Sequence, residues 1–154
     1  MYALVLLLHS WLRWVVLGTL GACLVGALLR ARARRDWSIR DRRLLTLFIA
    51  AFDTQLLLGL TLYFVLSPIT PKSVAELGRD MSVAYLRFFA LEHWLSMLLA
   101  LTAAHVTLPA ARRAKTAVSR QRRLGWGLGL TLLLILSGVP WPFLVYGRPL
   151  FRGF

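Results

Sequence analysis

The sequence is short of acid and almost without cysteine. Only 6 Asp and Glu stand against 19 Lys and Arg, for a formal charge of +13. The single cysteine, Cys23, excludes an internal disulfide and says nothing about redox compartment. No zinc-type Cys/His spacing, glycine-rich phosphate loop or nucleophile–base pair is legible, so a stand-alone catalyst is not expected. No repeat of about 20–50 residues is visible. The N-terminus lacks the basic leader of a cleaved signal peptide, and its apolar run is too long for one.

What is present is apolar bulk. Hydrophobic residues make up 58% of the 154 and charged ones 16%, with a mean hydropathy of +0.67. That is too apolar for an ordinary soluble domain of this size. A basic chain invites a nucleic-acid reading, and the position of the charge decides. Seven arginines lie from Arg30 to Arg43, and six basic residues from Arg112 to Arg123. Both clusters separate long apolar runs, as flanking charges of membrane spans do, and they would meet anionic lipid headgroups. No aromatic-basic surface module accompanies them, and no nucleic-acid partner is expected.

The fold class this predicts is all-α: an integral membrane bundle of four transmembrane helices in one domain. The spans are expected at about 4–29, 44–66, 85–108 and 124–140, since about 20 apolar residues cross the hydrocarbon. The basic loops, 30–43 and 109–123, belong in the cytoplasm. The 67–80 loop, with Lys72 and Arg79 against Glu76 and Asp80, is neutral, so both termini fall outside, in the periplasm. Trp11, Trp14, Trp94 and Trp141 then lie towards the outer interface and Trp126 at the inner one. Residues 67–71 (SPITP) make a turn, and the proline- and aromatic-rich tail, 141–154, lies along the outer interface. Glycines 125, 127 and 129 of the fourth span serve either bundle packing or contact with a partner or flat cofactor.

Polar residues inside an apolar bundle are costly and mark the candidate sites. His9 is 21 residues before Arg30, roughly 31 Å along a helix. His93 is 19 residues before Arg112, roughly 28 Å. Two histidines on different helices thus share one level in the outer half of the bilayer. Facing imidazoles would supply both axial ligands of a b-type haem, with Arg13 and Arg87 near its propionates. Glu92 and Arg13 would alternatively pair to orient a histidine. The plainer reading is that these groups snorkel or bond to backbone. A second group, Asp53, Gln55 and His105, lies nearer the cytoplasmic side. It would fix the register of two helices, relay protons, or meet a quinone headgroup.

Five stretches carry a resemblance: residues 9–14 (HSWLRW), 55–64 (QLLLGLTLYF), 87–93 (RFFALEH), 139–143 (VPWPF) and 148–151 (RPLF). In them the chain resembles short bacterial four-helix membrane proteins described as cytochrome b-like. The resemblance touches all four spans and the tail. It implies His9 and His93 as ligands of haem iron. Two stacked haems would want four placed histidines, and this chain has three. The expectation is an inner-membrane, multi-pass subunit of a respiratory or photosynthetic electron-transfer complex, carrying one haem b. The alternative is a cofactor-free accessory subunit that packs on a larger complex, with only lipid, quinone or pigment contacts. A small transporter or proton pathway through Asp53 and His105 is the third reading.

Overall fold

The computed structural model describes residues 1–151, so the end of the tail expected at the interface, 152–154, lies outside the described residues. Every regular element is helical: α1 Tyr2–Arg32, α2 Ile39–Thr61, α3 Val74–Asp80, α4 Ala84–Arg87, α5 His93–Arg112 and α6 Ala117–Gly138. A π-helical turn, Leu62–Leu66, continues α2, and a second, Phe88–Glu92, joins α4 to α5. The continuous helices Tyr2–Arg32, Ile39–Leu66 and Ala84–Arg112 are each long and apolar enough to cross a membrane. Helix α6 is less apolar along its length. Arg120, Arg122 and Arg123 occupy its first turns and leave 15 residues, 124–138, or about 22 Å of apolar rod.

The helices overrun the apolar runs that predict them. Arg30, Arg32, Arg40, Arg42 and Arg43 sit on helical turns, and the connection between α1 and α2 is only residues 33–38. Side-chain caps explain this. Ser38 accepts from the Asp41 amide at 3.3 Å, and Asp41 accepts from the Ser38 amide at 2.6 Å, a reciprocal capping box. Arg30 pairs with the same Asp41 at 2.7 Å. Thr116 caps α6 with a single bond, accepting from the Ser119 amide. The fourth helix ends at Gly138, two residues short of the expected 140. Pro140 disfavours helix at the residue before it, and Val139 is extended, with ψ 130°. The 67–80 loop departs from expectation too. Residues 67–71 turn as anticipated, but 74–80 form the seven-residue helix α3, capped by Ser73 and with no residue buried.

Helix α6 packs on α5 and on α1, and α1 on α2, whereas α2 and α5 meet over a shorter stretch. The buried stripe of α1 is Val16, Leu20, Cys23 and Ala27; that of α5 is Ala100, Ala104, Thr107 and Ala111. Both follow a seven-residue repeat, the seam of closely aligned helices. Small residues on α5 let α6 approach, and Phe48 and Phe52 of α2 fill the remaining core. The closest approach is at Gly127, where an added Cβ would run into the Thr107 side chain. Gly125 stands near Leu28 of α1, and a Cβ at Gly129 would meet open space. Gly127 therefore serves packing within the bundle. The outward surface is apolar as well: Leu8, Val25, Leu57, Leu99, Val106 and Leu133 are all exposed.

Candidate functional site

Both basic ends meet at one pole of the bundle. Arg120 bonds to Asp36, and Gln121 lies 3.5 Å from the Arg35 carbonyl, tying the two basic connections together. The Asp36 carboxyl is held below its ordinary range, first by the hydrogen bond from Arg120 and then by one from the Trp37 amide. The opposite pole holds the N-terminus, the 67–83 segment and the folded tail, and here the two histidines meet.

The His9 and His93 rings lie 6.3 Å apart, centroid to centroid, with their planes at 70°. His93 is anchored. Its Nδ1 donates to the Gly138 carbonyl at 2.6 Å, which leaves Nε2 as the nitrogen with a free lone pair. This bond needs α6 close to α5, and Gly138 permits it: a Cβ there would stand 2.9 Å from the Ser96 Cβ. On α1, Gln55 donates to the His9 backbone carbonyl at 2.9 Å. The His9 ring packs over Gly59, and its Nδ1 is buried with no hydrogen-bond partner.

These groups open onto one cavity of about 1300 Å³, counting the space at its mouth. His9, Gln55, Gly59, His93, Met97 and Ile135 lie along it, drawn from four helices. Two π-helical turns flank it, and wide turns of this kind recur at functional sites. The second leaves the Ala90 carbonyl to accept from both Tyr63 Oη at 2.8 Å and Trp94 Nε1 at 2.7 Å. At the first, Lys72 Nζ and Thr70 Oγ1 cap the Tyr63 carbonyl at 3.0 and 2.6 Å.

The tail closes the cavity at this pole. The Arg148 amide returns to the Pro140 carbonyl at 3.0 Å, so 140–148 fold back on themselves. Tyr146 stacks on Phe88 with centroids 3.8 Å apart, and Phe151 stacks on Trp14 at 5.1 Å. Arg13 and Trp14 both donate to the Leu150 carbonyl. Arg148 bonds to the Tyr85 hydroxyl and stands over the rings of Tyr85 and Phe89. Arg13 and Arg148 both line the cavity.

Four of the residues singled out from the sequence, His9, His93, Arg13 and Gln55, therefore come together. Arg87 does not join them. It pairs with Glu92 at 2.6 Å on the bundle's surface, both side chains about two-fifths exposed, and neither lines the cavity. The alternative Glu92–Arg13 pair is replaced by this one, because Arg87 is five residues from Glu92 on the same continuous helix. Asp53 and His105 do meet: His105 Nε2 donates to Asp53 Oδ1 at 2.9 Å, on the outward side of α2 and α5 with 44% and 48% of their side chains exposed. They are a bonded pair on the bundle's surface, apart from the cavity. Arg148, Tyr63 and Gly138 were not singled out as site residues. Arg148 carried a signal, a cation set among the aromatics of the tail.

Among the described residues no three His, Cys, Asp or Glu side chains gather to hold a bare metal ion. Two imidazoles suit a metal that brings its remaining ligands with it. Comparison with known protein families, with curated proteins and with solved structures finds no match to this chain.

Proposed function

We propose that the chain is a four-span inner-membrane subunit of an electron-transfer complex that holds one b-type haem between His9 and His93. The basic pole faces the cytoplasm and both termini face outward, by the positive-inside rule. Arg120, Arg122 and Arg123 of α6 then lie in the headgroup region, and its 15 apolar residues cross a locally thinned core. The observation that carries the haem reading is the spacing of the two rings. Two metal–nitrogen bonds of about 2 Å, with about 1 Å from each nitrogen to its ring centre, set imidazole centroids about 6 Å apart. His9 and His93 stand at 6.3 Å.

Bound there, haem would supply one-electron redox chemistry. The chain's own residues do the rest. The Gly138 carbonyl fixes the tautomer and orientation of His93 and raises the basicity of its other nitrogen. Gln55 holds the turn of α1 that carries His9. The largely apolar wall excludes water and favours the less charged redox state. Arg13 and Arg148, at the outer end of the same cavity, would balance anionic propionates.

The test is a dithionite-reduced minus oxidised spectrum of the purified protein, with a pyridine haemochrome assay for stoichiometry. One haem per chain, lost in both His9→Ala and His93→Ala, is the expected result. A folded protein without haem would leave the second reading, a cofactor-free accessory subunit. That reading draws on the Asp53–His105 pair, which is costly against hydrocarbon and better covered by a neighbouring subunit. The membrane assignment has its own test: the protein stays with membranes through alkaline carbonate washing.

A further inference from the structure

A second cavity, of about 1170 Å³ counting its open side, lies at the basic pole between the start of α2 and the end of α5. Three arginines line it, Arg42, Arg112 and Arg120, with Asp36 as the only acid. Asp36 is taken by Arg120, whose guanidinium also lies 6.0 Å from the Trp37 ring centre. Among the described residues, the side chains of Arg42 and Arg112 make no hydrogen bond or ion pair. Two guanidinium groups are thus in excess over acid in one concave site. Trp37 lines the same site, and its Nε1 is buried without a hydrogen-bond partner. Thr46 adds a hydroxyl to the wall, and Leu45 and Leu108 add its apolar part, where the apolar stretch of α2 begins and that of α5 ends.

We infer that this cavity binds a phosphate group, specifically the headgroup of an anionic phospholipid. Arginine forks match phosphate oxygens, and basic pockets between helices at the cytoplasmic face suit such headgroups. Leu45 and Leu108 mark the lipid as the source, because they put apolar surface beside the arginines and a free phosphate has no use for it. The inference rests on the membrane-spanning reading and is independent of haem.

Native mass spectrometry of the delipidated full-length protein in detergent tests it. Three probes are added separately: phosphatidylglycerol, phosphatidylcholine, and inorganic phosphate as competitor. One phosphatidylglycerol is retained at least tenfold more tightly than phosphatidylcholine, and millimolar phosphate does not displace it. The double variant Arg42→Gln/Arg112→Gln loses about thirtyfold, the factor that two surface charges are worth. Arg34→Gln/Lys115→Gln, which removes the same charge outside the cavity, changes binding less than threefold. Equal loss in the two variants, equal retention of phosphatidylcholine, or displacement by phosphate overturns the inference. If the arginine variant fails to fold, the wild-type comparison of probes still decides. Release of the protein by carbonate would sink the membrane reading and this inference together. Retention in membranes without headgroup preference sinks this inference alone.

Discussion

Gly127→Ala and Gly129→Ala, two residues apart on α6, should shift stability in opposite directions. At Gly127 the new methyl would stand 2.6 Å from the Thr107 Cβ, with Oγ1 and Cγ2 of the same side chain nearer still. Thr107 cannot swing aside freely, since it is buried and its hydroxyl donates to the Ala103 carbonyl at 2.6 Å. Carbon contacts settle at about 3.5–4.0 Å, so clearing the Thr107 Cγ2 at 2.3 Å requires α5 and α6 to separate by roughly 1.5 Å. Overpacking of this kind costs about 1–3 kcal/mol. The upper end applies here because α5 and α6 form the most extensive interface in the bundle. Alanine's helical preference over glycine returns about 0.5–1 kcal/mol, for a net loss of about 2 kcal/mol. At Gly129 the methyl meets nothing within 4 Å, so only the gain remains. The assay is reversible unfolding in mixed micelles of increasing dodecyl sulfate, followed by far-ultraviolet circular dichroism. Thr107→Ala in the Gly127→Ala background should recover part of the loss, because two of the three obstructing atoms go. Shifts of the same sign in the two single variants, or no loss at Gly127, would refute the packing argument.

Loss of the haem band in both His9→Ala and His93→Ala, with retention in His105→Ala, is the spectral pattern the cavity predicts, since His105 lies outside it. Asp36 gives a pH dependence of defined sign. Its folded pKa is depressed by Arg120, so its contribution is full above the ordinary carboxylate range and fades as pH falls through the lowered value. Wild-type stability should therefore fall below about pH 4 more steeply than that of Asp36→Asn. A double-mutant cycle on Asp53 and His105 should give about 0.6–1.7 kcal/mol in a membrane-like environment. A coupling near zero would mean that the pair faces water, where such pairs contribute little.

Much of the helical framework is legible in residue order. Long apolar runs bounded by arginines demand helices, because backbone groups in an apolar setting must be satisfied within the segment. Their ends were less legible. The Ser38–Asp41 box and Pro140 decide them, and both are local signals that run length alone overlooks. Counting turns also placed His9 and His93 at one level, and Asp53 and His105 at another, because rise per residue is a constant of the helix.

Which way each side chain faces is another matter. The helices are apolar on nearly every side, so periodicity hardly separates inner from outer faces. Only the tertiary packing turns His9 and His93 towards each other and leaves Asp53 and His105 outward. Packing likewise gives Glu92 to Arg87, and brings Arg148 from the far end of the chain to the cavity that holds Arg13. Such contacts join residues as many as 137 positions apart, as Arg13 and Leu150 are. They depend on which faces pack together, and a composition that is uniformly apolar does not encode that locally.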